Sequence, residues 1–484
     1  MTMFTIWKML RLQRSSEVQP GDQRTAASKR AASRTDHTTA LAVIAFAVAT
    51  AVFLTVLGGL HAFIYRATPA HTFAAVWGWS GETTGMNDAS VGPTYVSLAL
   101  FASLLLLVPL STLAGSAARL VASRRDAELA SLRLMGATGG QVTALTALDA
   151  TAQALGGTVL GIVGYFALLP AVMLLHFQAS TFTFTQLWVG PLALVGVVVG
   201  VTLLALVSAL ISLRGVVISP LGVSARRTPA ALSKWRLWIF LAVFALGMAG
   251  SKLINFAGDD SFAVIMVIMV PIIATFLVIN LLGPLVIRHS ARRRLARART
   301  ASQLIAMRRI LDNPKRAWRN VSGVALAVFI AGMTSLASFM GSLDTSGYDP
   351  QQVTLMHDIG MGGLLTLFFA AVLAAVSSGV MQAGSIYDQA SEYRMLILEG
   401  ADARVLAAAR RKEVMTPLWA VTAVSAACSL FLMIPIMGQA LTQPATMLSF
   451  VGGIALCFVL VYVGSLASNR AAASLDLLSV RADD

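Results

Sequence analysis

The feature that most constrains this chain is a series of apolar blocks, each long enough to span a bilayer. An α-helix needs about 20 apolar residues to cross the hydrocarbon core, so each block predicts a transmembrane helix. The blocks are 41–65, 95–120, 143–175, 187–213, 237–256, 262–287, 321–343, 359–380, 418–436 and 447–466. Charged residues make up only 12% of the chain, against about 25% in soluble domains. The sequence therefore predicts an all-α integral membrane protein with about ten transmembrane helices in a 4+2+4 arrangement.

The basic residues indicate how this bundle lies in the membrane. With the N-terminus inside, the outer segments fall near 66–94, 176–186, 257–261, 344–358 and 437–446. Of 36 Lys and Arg, only Arg66 and Lys252 lie at an outer end. Cytoplasmic loops are enriched in Lys and Arg, so the distribution predicts that both termini are cytoplasmic. The net charge of +14 is then explained by topology and by contact with membrane lipids, and a nucleic-acid partner is not expected.

The blocks divide the chain into four parts: a basic segment 1–37, a four-helix part 38–227, a two-helix insert with a basic linker 228–300, and a second four-helix part 301–484. Near the start of the second part, apolar residues form one helical stripe among arginines, which is typical of a helix at the membrane surface. The stripe comprises Leu304, Ile305, Met307, Ile310 and Leu311. Pro314 is expected to end this helix. The N-terminal FTIWKMLRLQR has a similar pattern.

The two four-helix parts contain the same motif at a constant shift of 264 residues. The shift pairs Glu128 with Glu392, Gly136 with Gly400, Ala137 with Ala401 and Asp149 with Glu413. An acid, a glycine and a second acid in one register are an unusual coincidence in so apolar a composition. We therefore predict two homologous four-helix repeats.

In each copy, a short polar helix follows a span and carries a Glu, and a glycine comes eight residues later. A glycine there can end the helix in the left-handed conformation. The segment then offers a cytoplasmic partner a surface to push, although an ordinary helical hairpin has the same pattern. Asp149 and Glu413 lie thirteen residues beyond the glycines. They remain open between a coupling role and pairing with nearby cations, which for Glu413 are Arg410, Arg411 and Lys412.

The run ELASLRLM before GlyAlaThr at 136–138 resembles the cytoplasmic coupling motif of FtsX/MacB-type ABC permeases. In the first copy the matching residues are Glu128, Arg133, Gly136, Ala137 and Asp149. In the second copy they are Glu392, Gly400, Ala401 and Glu413, with Ile397 in place of the arginine. The resemblance covers roughly 1–225 and 300–480. The large extracytoplasmic domain of these relatives has only the short loops 67–93 and 344–358 as counterparts, with Trp77 and Trp79 expected at headgroup level.

The resemblance implies the permease subunit of an ABC transporter in a bacterial plasma membrane. Its expected role is export or membrane extraction of an amphipathic substrate, such as a peptide antibiotic, a lipid or a drug. Two coupling segments imply two copies of a separate ABC ATPase, which would hold the ATP and Mg²⁺, and the family adds a sensor histidine kinase as a further candidate partner. The alternative is a non-transporting regulator that transmits ATPase-driven motion to an extracytoplasmic enzyme or sensor kinase.

Catalytic residues are not expected in this chain. A P-loop requires a lysine directly after a glycine, and none of the six lysines follows one. His357–Asp358 is interpreted as a solvated His beside an Asp at a helix start, and no metal site is expected. Cys428 and Cys457 lie in apolar blocks and are expected to be small packing residues.

Overall fold

The computed structural model describes residues 26–68, 71, 92–123, 138–217, 238, 261–340, 349–388, 395–396, 398–437 and 443–473. Within these residues, nine helices are long and apolar enough to cross a membrane. They correspond to nine of the ten predicted blocks. The predicted fifth span, 237–256, lies outside the described residues except for Trp238. The all-α membrane fold class is confirmed.

The membrane-length helices are longer than the apolar blocks, because additional turns extend them beyond the block at one or both ends. They are α1 (Ala26–Ala67), α2 (Gly92–Ser123), α3 (Gly139–Met173), α4 (Phe184–Leu187), α5 (Gly190–Val217), α6 (Ser261–Ala296), α7 (Ala301–Asp312), α8 (Pro314–Met340), α9 (Pro350–Asp388), α10 (Ala403–Met437) and α11 (Pro444–Ala473). Three of them begin with proline, which has no N–H to leave unpaired in the first turn. Between α3 and α4, β1 (His176–Phe177) and β2 (Ser180–Thr181) form an antiparallel hairpin that pairs His176 with Thr181.

The helices pack as two sets of four. In the first set α1 contacts α2 and α3, and α2 contacts α5; in the second set α8 contacts α9 and α10, and α9 contacts α11. The sets meet where α2 lies against α9. The membrane-length part of α8 is 78% buried and that of α5 is 17% buried, so the core follows α8 and α5 faces outward. The three pairings recur in both sets, and the homology of the sets stays a prediction.

Small residues allow α3 to approach α1 closely. A Cβ on Gly157 would lie 2.5 Å from Cβ of Phe46, and one on Gly161 would lie 2.5 Å from Cβ of Thr50. Glycines spaced in this way let two helix backbones come together and gain dispersion contacts, which is a common mode of helix packing in membranes.

The two ends of the bundle differ. We call the end that carries the β1–β2 turn the hairpin end and the opposite end the α7 end. At the α7 end, α7 packs on α6 and α10 and buries Ser302, Ala306, Met307 and Ile310. Leu304 of the predicted stripe is 49% exposed, and α7 approaches its neighbours partly through small residues. That the stripe lies at the membrane surface stays a prediction. The predicted break is confirmed, since α7 ends at Asp312 and α8 begins at Pro314.

Candidate functional site

The second predicted coupling segment is described at 395–396 and from Leu398 onward, and it directly precedes α10, which packs on α7. Glu128, Arg133, Gly136, Ala137 and Glu392 are outside the described residues, and their roles stay predictions. Gly400 is described: its φ is +92°, and the N–H of Ala401 donates to Leu396 O at 2.9 Å. A left-handed glycine with this six-residue closure is a Schellman cap. The helix end predicted at Gly400 is therefore present.

The next span starts immediately after each motif. In the second copy, Asp402 Oδ1 accepts from the N–H of Arg404 at 2.8 Å, directly before α10. In the first copy, Thr138 and Gln141 bond each other's backbone N–H groups at the start of α3. Thr138 and Asp402 are 264 positions apart, as are the first residues of α3 and α10. The register found between the two motifs thus extends to the capping residues of both spans.

The paired acids have different surroundings. Asp149 is half-buried on α3, and Gln153 Nε2 donates to its Oδ2 at 3.0 Å. Glu413 on α10 lies 3.8 Å from Arg309 of α7. Arg309 was not among the three cations expected for Glu413, because α7 is distant in sequence and its docking is a tertiary contact. This ion pair helps to fasten α7 to α10.

Two further polar contacts join α7, α6 and α10. Lys412 Nζ donates to the hydroxyls of Thr300 and Ser302 at 3.2 and 2.9 Å. Arg294 near the end of α6 donates to Thr416 Oγ1 at 3.2 Å. The base of α10, directly beyond the Gly400 cap, is therefore held against two other helices by charged side chains.

At the hairpin end, Arg66 of α1 fastens the hairpin to the first helix set. Its guanidinium donates to the carbonyls of Phe177 and Thr181 at 2.8 and 2.7 Å. Its remaining bonds go to the side-chain oxygens of Gln178 and Gln186, so all five N–H donors of the guanidinium are used. The guanidinium carbon also lies 4.4 Å from the centre of the Phe182 ring. These bonds hold the hairpin firmly against the end of α1.

The two turn residues of the hairpin have an energetically unfavourable backbone conformation. Gln178 and Ala179 have φ values of +56° and +55°, whereas two-residue turns of this kind favour Asn-Gly or Asp-Gly. The left-handed conformation costs a residue with a Cβ roughly 1–2 kcal/mol. Strain of this kind persists only where surrounding contacts enforce it, and the Arg66 bonds are such contacts.

The strained turn contacts the second helix set through Asp358 of α9. The N–H of Gln178 donates to Asp358 Oδ2 at 2.7 Å, and Tyr95 of α2 donates to the same oxygen at 2.6 Å. Asp358 is 5% exposed. The expectation of an Asp at a helix start is wrong, because α9 begins eight residues earlier, at Pro350. The neighbouring His357 is exposed, as expected.

Next to Asp358, a cavity of about 190 Å³ lies between the two helix sets. The first set contributes α1, α2 and the hairpin, with Phe63, Leu98 and Phe177 among the lining residues. The second set contributes α8 and α9, including Met333 and Phe369. The lining is largely apolar, and Tyr95 and Asp358 are its polar group at the hairpin end.

Comparison with known families finds a match, which lies in the first helix set. The family described as FtsX-like permease C-terminal matches residues 99–218. This segment is similar to FtsX-like permeases. It includes most of α2, all of α3, the hairpin and α5, and it contributes part of one wall of the cavity. No curated protein matches the chain.

The hairpin end contains a site that the sequence did not indicate. The bonds of Arg66 to the hairpin join residues 111 to 120 positions apart, and the Tyr95–Asp358 bond spans 263 positions. The available signals were a lone arginine directly after one apolar block and a lone acid directly before another. Charged residues are costly next to hydrocarbon, so such positions are candidates for a function.

Proposed function

We propose that this chain is the permease subunit of an ABC transporter, in which a separate ATPase drives export or membrane extraction of an amphipathic substrate. The observation that carries the proposal is the position of the cavity. The first helix set, most of which matches the FtsX-like family, forms one wall, the second four-helix set forms the other, and the lining is mostly apolar. Ligand sites are typically apolar cavities with few polar groups, and relative movement of the two sets would open or close this one.

The α7 end supplies a mechanical connection for such movement. The Gly400 cap is separated from α10 by Ala401 and Asp402 alone, so force on the preceding helix passes directly to a 35-residue helix that crosses the bundle. The ion pair of Glu413 with Arg309 couples α10 to α7. An ATPase that presses on this segment would therefore shift several helices of the second set together.

In this proposal, two ATPase copies bind each chain, one at the segment around Glu128 and one at the segment around Glu392. ATP and Mg²⁺ are held by the ATPase. The protein lies in a bacterial plasma membrane, with the hairpin end facing outward. The α7 end, where the basic residues cluster, contacts anionic lipid. Peptide antibiotics, lipids and drugs are the candidate substrates, and a sensor histidine kinase is a candidate additional partner.

The test is co-purification of the chain with its ABC ATPase, followed by native mass spectrometry and an ATPase assay. We expect two ATPase copies per chain. Glu128→Lys and Glu392→Lys reverse a charge at the proposed contacts and should each weaken the complex. Asp349→Lys makes the same change at an exposed position of the hairpin end and should leave the complex intact. Normal assembly of both coupling variants, or a complex with one ATPase copy, would contradict the proposal.

A further inference from the structure

The carboxylate of Asp358 has an unused oxygen beside the cavity. Both of its hydrogen bonds, from Tyr95 and from Gln178 N–H, go to Oδ2. Among the described residues, Oδ1 has no hydrogen-bond donor and no basic group lies within ion-pair distance of the carboxylate. A buried carboxylate is costly unless it is paired. Oδ1 is therefore a place where a ligand that donates a hydrogen bond would be strongly favoured.

The charges at the hairpin end favour a cation as that ligand. Arg66 interacts electrostatically with Asp358 from beyond ion-pair distance, but its five donors are all used by the hairpin and by Gln186, so none is left for Oδ1. The segments 68–91 and 341–349, which join α1 to α2 and α8 to α9, contain neither Lys nor Arg.

The rest of the cavity selects for an apolar body. Around the carboxylate, the lining continues as Phe63, Leu98, Phe101 and Phe369. An alkyl or aryl group in the cavity is removed from water, and each buried CH₂ contributes about 0.8 kcal/mol of transfer free energy to binding. A cavity of about 190 Å³ suits one such group and not a folded peptide.

We propose that this cavity binds an organic ammonium ion with a short alkyl or aryl body, whose N–H donates to Asp358 Oδ1. Tyr95 and the strained Gln178 turn position the carboxylate, because they hold its other oxygen. The proposal rests on the proposed function and deepens it by naming the substrate class as cationic amphiphiles.

The experiment uses the purified chain without ATPase in nanodiscs of zwitterionic lipid. The probes are a diazirine-bearing octylammonium ion and the matching diazirine-bearing octanol, with cross-linked residues mapped by mass spectrometry. The ammonium probe should label residues 95–106 and 359–369, and unlabelled octylammonium should compete. Asp358→Asn should weaken this saturable labelling about 10- to 100-fold, the range of a charge-assisted hydrogen bond in a protected site. Asp349→Asn removes an exposed acid at the start of α9, the helix that carries Asp358. This control variant should not alter the labelling.

A second variant keeps the proposal testable if Asp358→Asn folds poorly. Gly59 lines the cavity, and a Cβ placed on it meets no atom within 4 Å. Gly59→Leu should therefore fill the cavity without strain and remove labelling by both probes while the carboxylate is intact. Undiminished labelling of either variant, or equal saturable labelling by the alcohol, overturns the proposal. Since no ATPase is present, failure of this binding is distinguishable from failure of the ATPase complex.

Discussion

The close contact between α3 and α1 makes a sharp prediction, because two adjacent glycines have opposite surroundings. A Cβ on Gly157 would lie 2.5 Å from Cβ of Phe46 and 2.8 Å from Val43 O. Carbon atoms normally rest about 3.5–4.0 Å apart, so Gly157→Ala must push α3 away from α1 by about 1 Å. Forcing extra atoms into a packed core costs typically about 1–3 kcal/mol.

Gly156 is the matched control. A Cβ there meets no atom within 4 Å, and Gly→Ala inside a helix is worth up to about 1 kcal/mol in propensity. Because this gain applies to both alanine variants, they should differ in the free energy of unfolding by the packing cost alone, about 1–3 kcal/mol. Unfolding by SDS in mixed micelles, followed by circular dichroism, measures this difference. Gly161→Ala should behave like Gly157→Ala, since its Cβ would lie 2.7 Å from Ala47 O.

Equal stability of the Gly156→Ala and Gly157→Ala proteins would refute this account of the α1–α3 interface. So would a stabilised Gly157→Ala protein, because it would mean that the helices are not in backbone contact. A difference of the expected sign for Gly157 but none for Gly161 would restrict the close approach to one turn of α3.

Three other predictions concern the ends of the bundle. Gly400→Val should abolish ATP-driven transport, because φ is +92° at this position. Gly140→Val is the control, since it changes an exposed helical position with open space around it, and it should not affect transport. Equal transport by both variants would contradict the role of the cap. Arg66→Lys should speed hydrogen exchange at 176–181 at least about tenfold, because lysine lacks the five-donor fork; unchanged exchange would show that the clamp is dispensable. A cysteine at exposed Ala179 should react with an impermeant maleimide in intact cells and one at exposed Ala296 should not, and the reverse pattern would overturn the proposed orientation.

The spans and the helix caps could be predicted because their signals are local. Apolar length predicted nine of the described helices, and a glycine at a fixed distance after a polar helix predicted the cap at Gly400. These inferences need only the chain's own neighbouring residues.

The hairpin end could not be predicted, because its contacts join distant parts of the chain. In sequence, Arg66 was only a basic residue at an outer end, and Asp358 was assigned to a helix start. Their partners, the Phe177 carbonyl and the Tyr95 hydroxyl, are ordinary groups that become specific only when α1, α2, α9 and the hairpin converge. The docking of Arg309 on Glu413 escaped prediction for the same reason.

The central claim is that a separate ATPase drives movement of an amphiphile through this chain. The most direct measurement reconstitutes the chain with its ABC ATPase in vesicles and follows a radiolabelled octylammonium ion leaving the membrane after ATP is added. The account predicts ATP-dependent release with the native ATPase and none with a hydrolysis-deficient ATPase or with the chain alone. Release of equal rate without ATP, or vigorous ATP hydrolysis by the assembled complex with no movement of any amphiphile, would contradict it.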